Sequence, residues 1–286
     1  MKVLIVHAHP DPASFNAALK DTAVATLRAQ GHEVQVSDLY AMGFKAVPDA
    51  EDFTDTRRDP ERLQIDVEQE HQYETGTHPP DVAAEQAKVE WCDLLILQFP
   101  IWWFSMPAVL KGWVERVMSR GFAYRRGRKH AKGVFLGRRA MICCTTGTSA
   151  ATYAPDGIEG DIQHLLWPVN NGVFHYLGFT PLPPFVAFAP RQATDEDRRE
   201  LLDAYAHRLR RIEDVEPLYF HPREDYGPDQ RLLPGVEARS GFQRSPRAPH
   251  RPAAPAEEHS DERGPEKKIE KKIRADVDSA ASAATS

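Results

Sequence analysis

The stretch "LLILQFPIWWFSMPAVLKGWVERV", residues 94–117, passes from an aliphatic run to a proline-bounded aromatic slab and then to an amphipathic segment. Residues 93–99 read as a strand covered on both faces, because parallel strands buried between helices are near-continuous in aliphatic residues. Pro100 cannot donate to a central ladder, so the strand ends there. The spacing predicts a helix over 107–118, with a proline near its start where no N–H is needed. Between the two lie Ile101, Trp102, Trp103 and Phe104. Only Lys111, Glu115 and Arg116 are charged in the whole stretch.

The same alternation extends outward. Residues 3–6 read as a buried strand, and a loop follows over 7–13. Ser14 is placed to cap a helix whose Ala17, Leu19, Ala23, Val24 and Leu27 recur near helical spacing, with Gly31 ending it. Residues 33–40 alternate as a second strand. Residues 41–80 are polar and irregular, too long for a mere connector, and are expected to cover something. A helix is predicted over 81–91 and a fourth strand over 138–145. The fifth strand falls near 184–189, crowded by Pro181, Pro183 and Pro184. Thr194, Asp195, Glu196 and Asp197 cap and charge the start of a last helix reaching about 212. Strands alternating with helices give an α/β fold, a doubly wound five-stranded parallel sheet with helices on both faces. Such sheets bind ligands at the carboxyl ends of their strands, at the topological switch point.

The chain has 286 residues, 41% of them hydrophobic, and a net charge of −6. That suits a sizeable α/β domain and argues against a nucleic-acid partner, whose binding surfaces are basic. The run Arg125-Arg126-Gly127-Arg128-Lys129-His130 reads as a solvated loop. Cys92, Cys143 and Cys144 do not form a disulfide framework and read as buried thiols, with no metal site. The amino-terminal apolar run is too short for a signal-peptide core, and no stretch approaches a membrane span. A cytoplasmic location is therefore expected. Residues 1–220 are expected to form the domain, 221–240 an extension and 241–286 a disordered tail, with a transient helix conceivable over 262–274.

Three loops follow strand ends. The first lacks G-x-G-x-x-G, so a common dinucleotide fingerprint is excluded. Its His9, Ser14, Phe15 and Asn16 stand where a helix start can receive a phosphate, although Ser14 also suits a plain N-cap. In the second, Trp103 and Phe104 offer a face for a planar heteroaromatic ring, or else a core or subunit contact. In the third, Thr145, Thr146, Gly147, Thr148 and Ser149 suit hydrogen bonding to a ligand, or an ordinary turn. Taken together in this order, they point to a flavodoxin-like sheet holding a flavin.

The stretches "AHPDPASFN", "SDLYAMGF", "QFPIWWFSMPAVLKGWVERV", "TTGTSAATY", "LLWPVNNGVFHYLGF" and "PLYF" resemble the NAD(P)H quinone dehydrogenase (DT-diaphorase) family over residues 2–220. The resemblance implies a homodimer with FAD in two sites, each built from both chains. It places His9, Phe15 and Asn16 at the diphosphate, Gln64 on the adenine side and Arg198 near the adenosine end. Ile101, Trp102, Trp103 and Phe104 would hold the ring; Thr145, Thr146, Gly147 and Thr148 would bond its edge, with Tyr153 adjacent. The implied reaction is hydride transfer from NAD(P)H through the flavin to a quinone, in ping-pong order. Trp103, Tyr124, Tyr153, His175 and Tyr176 would line the substrate pocket. Two positions depart from the family pattern. A family histidine six residues past the catalytic tyrosine is Glu159 here, expected to be protonated or turned outward during turnover. A second pocket tyrosine is Arg126, which makes the rim more basic. These departures keep two other readings open, a flavin-bound redox-sensing subunit and an azo or nitroaromatic reductase.

Overall fold

The computed structural model describes residues 1–54, 57–239, 241 and 243. Strands β1 (Lys2–His7), β2 (Glu33–Asp38), β3 (Leu94–Pro100), β4 (Arg139–Thr145), β5 (Thr180–Pro181) and β6 (Phe185–Ala187) form one parallel sheet. Their order is β2-β1-β3-β4-β5, with β6 also on β4. The chain steps outward from β1 to β2 and then returns to the other side of β1 for β3. The switch point therefore lies between β1 and β3, where ligand crevices form.

Alternate residues point to opposite faces of each strand. Leu4, Val6, Leu95, Leu97 and Phe99 join a core that includes Leu110, Trp113 and Phe135. Val3, Ile5, Leu94 and Ile96 join the opposite core with Leu19, Leu27, Tyr205 and Leu209. All seven residues of β3 are buried. Each aliphatic side chain so buried contributes about 1.5–3 kcal/mol, which makes β3 the axis of the fold. Helices α1 (Phe15–Ala29), α3 (Pro80–Trp91), α4 (Ala108–Val117) and α6 (Asp195–Arg210) fall close to the predicted segments. Ser14 caps α1 by accepting from the Ala17 N–H, and Thr194 and Asp197 form a reciprocal capping box on α6. Cys92, Cys143 and Cys144 are free and buried.

Three segments differ from the sequence-based expectation. The polar segment 41–80 is not irregular throughout; it contains a 3-10 turn (Ala50–Phe53) and helix α2 (Ile65–Thr75). Helix α2 buries Glu68, Gln69 and Gln72 rather than an apolar stripe. Glu68 accepts the Arg58 and Asp59 N–H groups, Gln69 donates to the Glu115 carbonyl and Gln72 to the Asp52 carbonyl. Hydrophobic periodicity is blind to such a helix. The segment does act as a cover, and it lies on α4: a Cβ at Gly112 would come within 2.0 Å of the Ala46 carbonyl oxygen, so only glycine permits this contact. At the sheet edge, the single expected fifth strand is two short pieces, β5 and β6. Pro181, Pro183 and Pro184 remove the donors needed to keep one ladder continuous. A helix α5 (Ile162–Val169), with no counterpart in the sequence reading, contains Pro168 and runs into a π-helical turn (Asn170–His175).

The extension after 220 is pinned back on itself. His221 Nδ1 lies 2.8 Å from Asp225, and the Arg239 N–H donates to His221 Nε2. The expected tail and its transient helix lie outside the described residues, apart from positions 241 and 243.

Candidate active site

Three loops converge at the carboxyl end of the sheet. Gln98 on β3 donates to the Asn16 carbonyl, and Asn16 Nδ2 donates to Thr145 Oγ1 at 2.9 Å. The Ile101 N–H donates to the Thr145 carbonyl at 2.8 Å. The first turn of α1, the start of the aromatic slab and the end of β4 are thus tied together through Asn16 and Thr145.

The slab itself is strained and uncovered. Trp103 and Phe104 have φ of 50° and 58°, left-handed values that cost side-chain-bearing residues roughly 1–2 kcal/mol each. Trp102 and Ser105 close the turn by bonding each other's backbone. Trp103 is 97% exposed and Phe104 52%, while Ile101 is half-buried. Among the described residues, the backbone N–H groups of Trp103 and Phe104 have no acceptor. Strain held beside a crevice marks a segment shaped for something other than stability.

The first loop offers matching groups. His9 accepts the Asp11 N–H on Nδ1, and its ring lies 6.1 Å from that of Trp102. The N–H groups of Phe15 and Asn16, at the start of α1, have no acceptor among the described residues, and Asn16 Oδ1 is buried without a partner. In the third loop Gly147 is exposed, and a Cβ there would meet open space. Thr146 donates to the Thr148 carbonyl, and Thr148 shares a hydrogen bond with Thr152.

Tyr153 is buried behind this loop, its ring 6.0 Å from Phe188. Burial raises its pKa; a Thr148 hydrogen bond opposes that, and the Glu159 charge adds to it. Glu159 is half-buried, with Oε1 3.5 Å from Thr148 Oγ1. An open cleft of about 540 Å³ lies alongside, lined by Phe188, Ala189, Gln192, Asp197 and Leu201. Arg198 belongs to the same helical turn, but its guanidinium bonds the Pro190 and Ala193 carbonyls and pairs with Asp195. Gln64 is exposed at the N-cap of α2 and makes no capping bond.

The other anticipated pocket residues form a second cluster. Tyr124 and Tyr176 meet edge to face at 5.8 Å. His175 stacks on Phe220 at 4.1 Å, and His130 lies 5.3 Å from both His175 and Tyr176. Burial, and then His130, push the His175 pKa down to about 4. Burial and the Lys129 charge lower that of His130. Burial, followed by Tyr176, raises the Tyr124 hydroxyl. Arg126 is exposed at the rim. No hydrogen bond or ring contact among the described residues joins this cluster to the slab. Lys129 and His130 stand in the basic run read from sequence as a solvated loop and Phe220 in the family-like stretch PLYF, whereas the sequence reading gave Phe188 no role.

Among the described residues no group of side chains suits a metal ion, and no helix is long and apolar enough to cross a membrane. The parallel order β2-β1-β3-β4-β5 defines a flavodoxin-like protein, and a flavodoxin-like fold model matches residues 1–210. The chain is 42% identical over 221 residues to NAD(P)H dehydrogenase [quinone] 1 of Cavia porcellus, covering 77% of this chain and 80% of that one. It is 42% identical over 217 residues to human ribosyldihydronicotinamide dehydrogenase [quinone], covering 76% and 94%. A Klebsiella pneumoniae protein provisionally assigned as a quinone reductase superposes with a TM-score of 0.80 at 39% identity, covering 85% and 96%. The chain belongs to the NAD(P)H quinone dehydrogenase family of flavin oxidoreductases.

Proposed function

We propose that this enzyme binds FAD and catalyses the two-electron reduction of quinones by NAD(P)H in ping-pong order, as a homodimer. The observation that carries this reading is the left-handed, uncovered Trp103–Phe104 turn at the switch point. It presents a flat apolar face and unpaired N–H groups to a ring with polar edges. Bound flavin would supply the hydride acceptance and delivery. Ile101, Trp102, Trp103 and Phe104 hold its ring, while Thr145, Thr146, Gly147, Thr148 and Tyr153 face its polar edge. The Phe15 and Asn16 N–H groups and His9 receive the diphosphate. Gln64 and Arg198 belong to the adenosine half, which argues for FAD over FMN.

The separation of the Tyr124–Tyr176–His175 cluster from the slab supports a dimer. A second copy would bring those rings over the slab and complete a pocket for flat substrates. Glu159, a carboxylate where charge develops, favours a second reading, a flavin-bound redox sensor of low turnover. Cofactor extraction and chromatography, together with quinone-dependent NADPH oxidation, test the assignment. FAD with rapid turnover is expected. FMN alone would overturn the cofactor, a monomer of full activity the dimer, and FAD without turnover the enzyme reading in favour of the sensor.

A further inference from the structure

Residues 125–132 carry Arg125, Arg126, Arg128, Lys129 and Lys132 and no acidic residue, in a chain of net charge −6. The segment is a built turn. The Arg128 N–H donates to the Arg125 carbonyl, Gly127 has φ 77°, and Arg128 Nε donates to the Lys132 carbonyl. His130, at φ 51°, turns the chain against the aromatic cluster. Lys129 Nζ sits 5.0 Å from the Tyr176 ring and 5.9 Å from the Tyr124 ring. The basic loop is therefore continuous with the two tyrosines of the pocket.

Its charges are not neutralised by acidic partners. Among the described residues none of the five cations has a carboxylate within ion-pair distance. Arg120, five residues earlier, is held by Asp66 at 2.9 Å and Glu70 at 2.8 Å. Arg125, Arg126 and Arg128 are exposed. Burial depresses His130 and His175, so neither adds charge at neutral pH.

We infer that this loop is an anion subsite taking the phosphate groups of the hydride donor, so that the enzyme selects phosphorylated dihydronicotinamides over the uncharged riboside. The inference rests on the NAD(P)H reading above and deepens it. Guanidinium forks match phosphate oxygens in pairs, whereas a quinone offers them no charge. The patch is confined to one turn of a net-acidic protein, which suits a small multivalent anion and disfavours a polyanion.

The test compares wild type with R125A/R128A on NADPH, NADH and dihydronicotinamide riboside, with an uncharged benzoquinone as acceptor. The kcat/KM for NADPH is expected to fall about fivefold, the loss of two screened ionic contacts, and that for the riboside by less than twofold. Raising salt should reduce wild-type NADPH turnover in the same sense. Calorimetric affinity for 2′-phospho-ADP-ribose should fall in parallel, without turnover. Equal losses for all donors, or none, would overturn the subsite while leaving the enzyme reading intact. A selective loss with a carboxylated quinone would reassign the loop to the acceptor and overturn the donor assignment. A wild type inert with every donor would overturn both.

Discussion

Trp103→Gly is expected to stabilise the flavin-free protein while weakening flavin binding. Trp103 is 97% exposed, so about 3% of an aromatic surface of roughly 250 Å² is lost, worth about 0.2 kcal/mol. Its φ of 50° lies where a side chain costs about 1–2 kcal/mol and glycine nothing. Glycine also loosens the unfolded chain, which costs about 0.4–1 kcal/mol. The balance is a gain of roughly 0.5 kcal/mol, or about 1–2 °C in Tm for a domain of this size. Trp103→Ala keeps the left-handed penalty and should not gain. Calorimetric scans of the apoprotein read this, and repeating them with added FAD should show a smaller ligand-induced rise for both variants. An apoprotein Tm for Trp103→Gly more than about 3 °C below wild type would refute the reasoning, since the indole would then be packed rather than held in strain.

Glu159→His should speed the NADPH half-reaction at both pH values, because it removes a carboxylate where negative charge develops, and more at pH 6 than at pH 8, because more of the new imidazole is then protonated; stopped-flow rates equal to wild type at both pH values would show that Glu159 has no electrostatic part. Arg116→Ala should cost about 3 kcal/mol in urea unfolding, because its 3%-exposed guanidinium pairs with the nearly buried Asp52 and Lys45 remains to compensate only in part. Arg120→Ala, at a 33%-exposed pair, should cost under about 1 kcal/mol, so equal losses would contradict the burial argument. Burial lowers the His7 pKa to about 4, and Asp38 opposes this only in part. Below its ordinary value near 6.5 the unfolded chain therefore takes up a proton that the folded protein refuses, and stability should fall as pH drops from about 6.5 to about 4. Urea midpoints across that window should move less in His7→Asn.

Sequence alone determined the elements whose signal is local. The aliphatic run of β3, the Ser14 and Thr194 caps and the order of three strand-end loops each depend on neighbours a few residues apart. The positions of the aromatic slab and of the loops beside it follow from that order. Tertiary structure decided the rest. Helix α2 is held by Glu68, Gln69 and Gln72 bonding to backbone groups elsewhere in the chain, so no periodic apolar stripe announces it. The fifth strand breaks in two because its prolines meet a ladder whose register only β4 sets. The Ile101–Thr145 bond that anchors the slab and the seating of Lys129 on Tyr176 join segments distant in the chain. Local pattern fixes which elements form; the strain a residue carries and the partner a charge lacks are properties of packing, and packing exists only once the chain has folded.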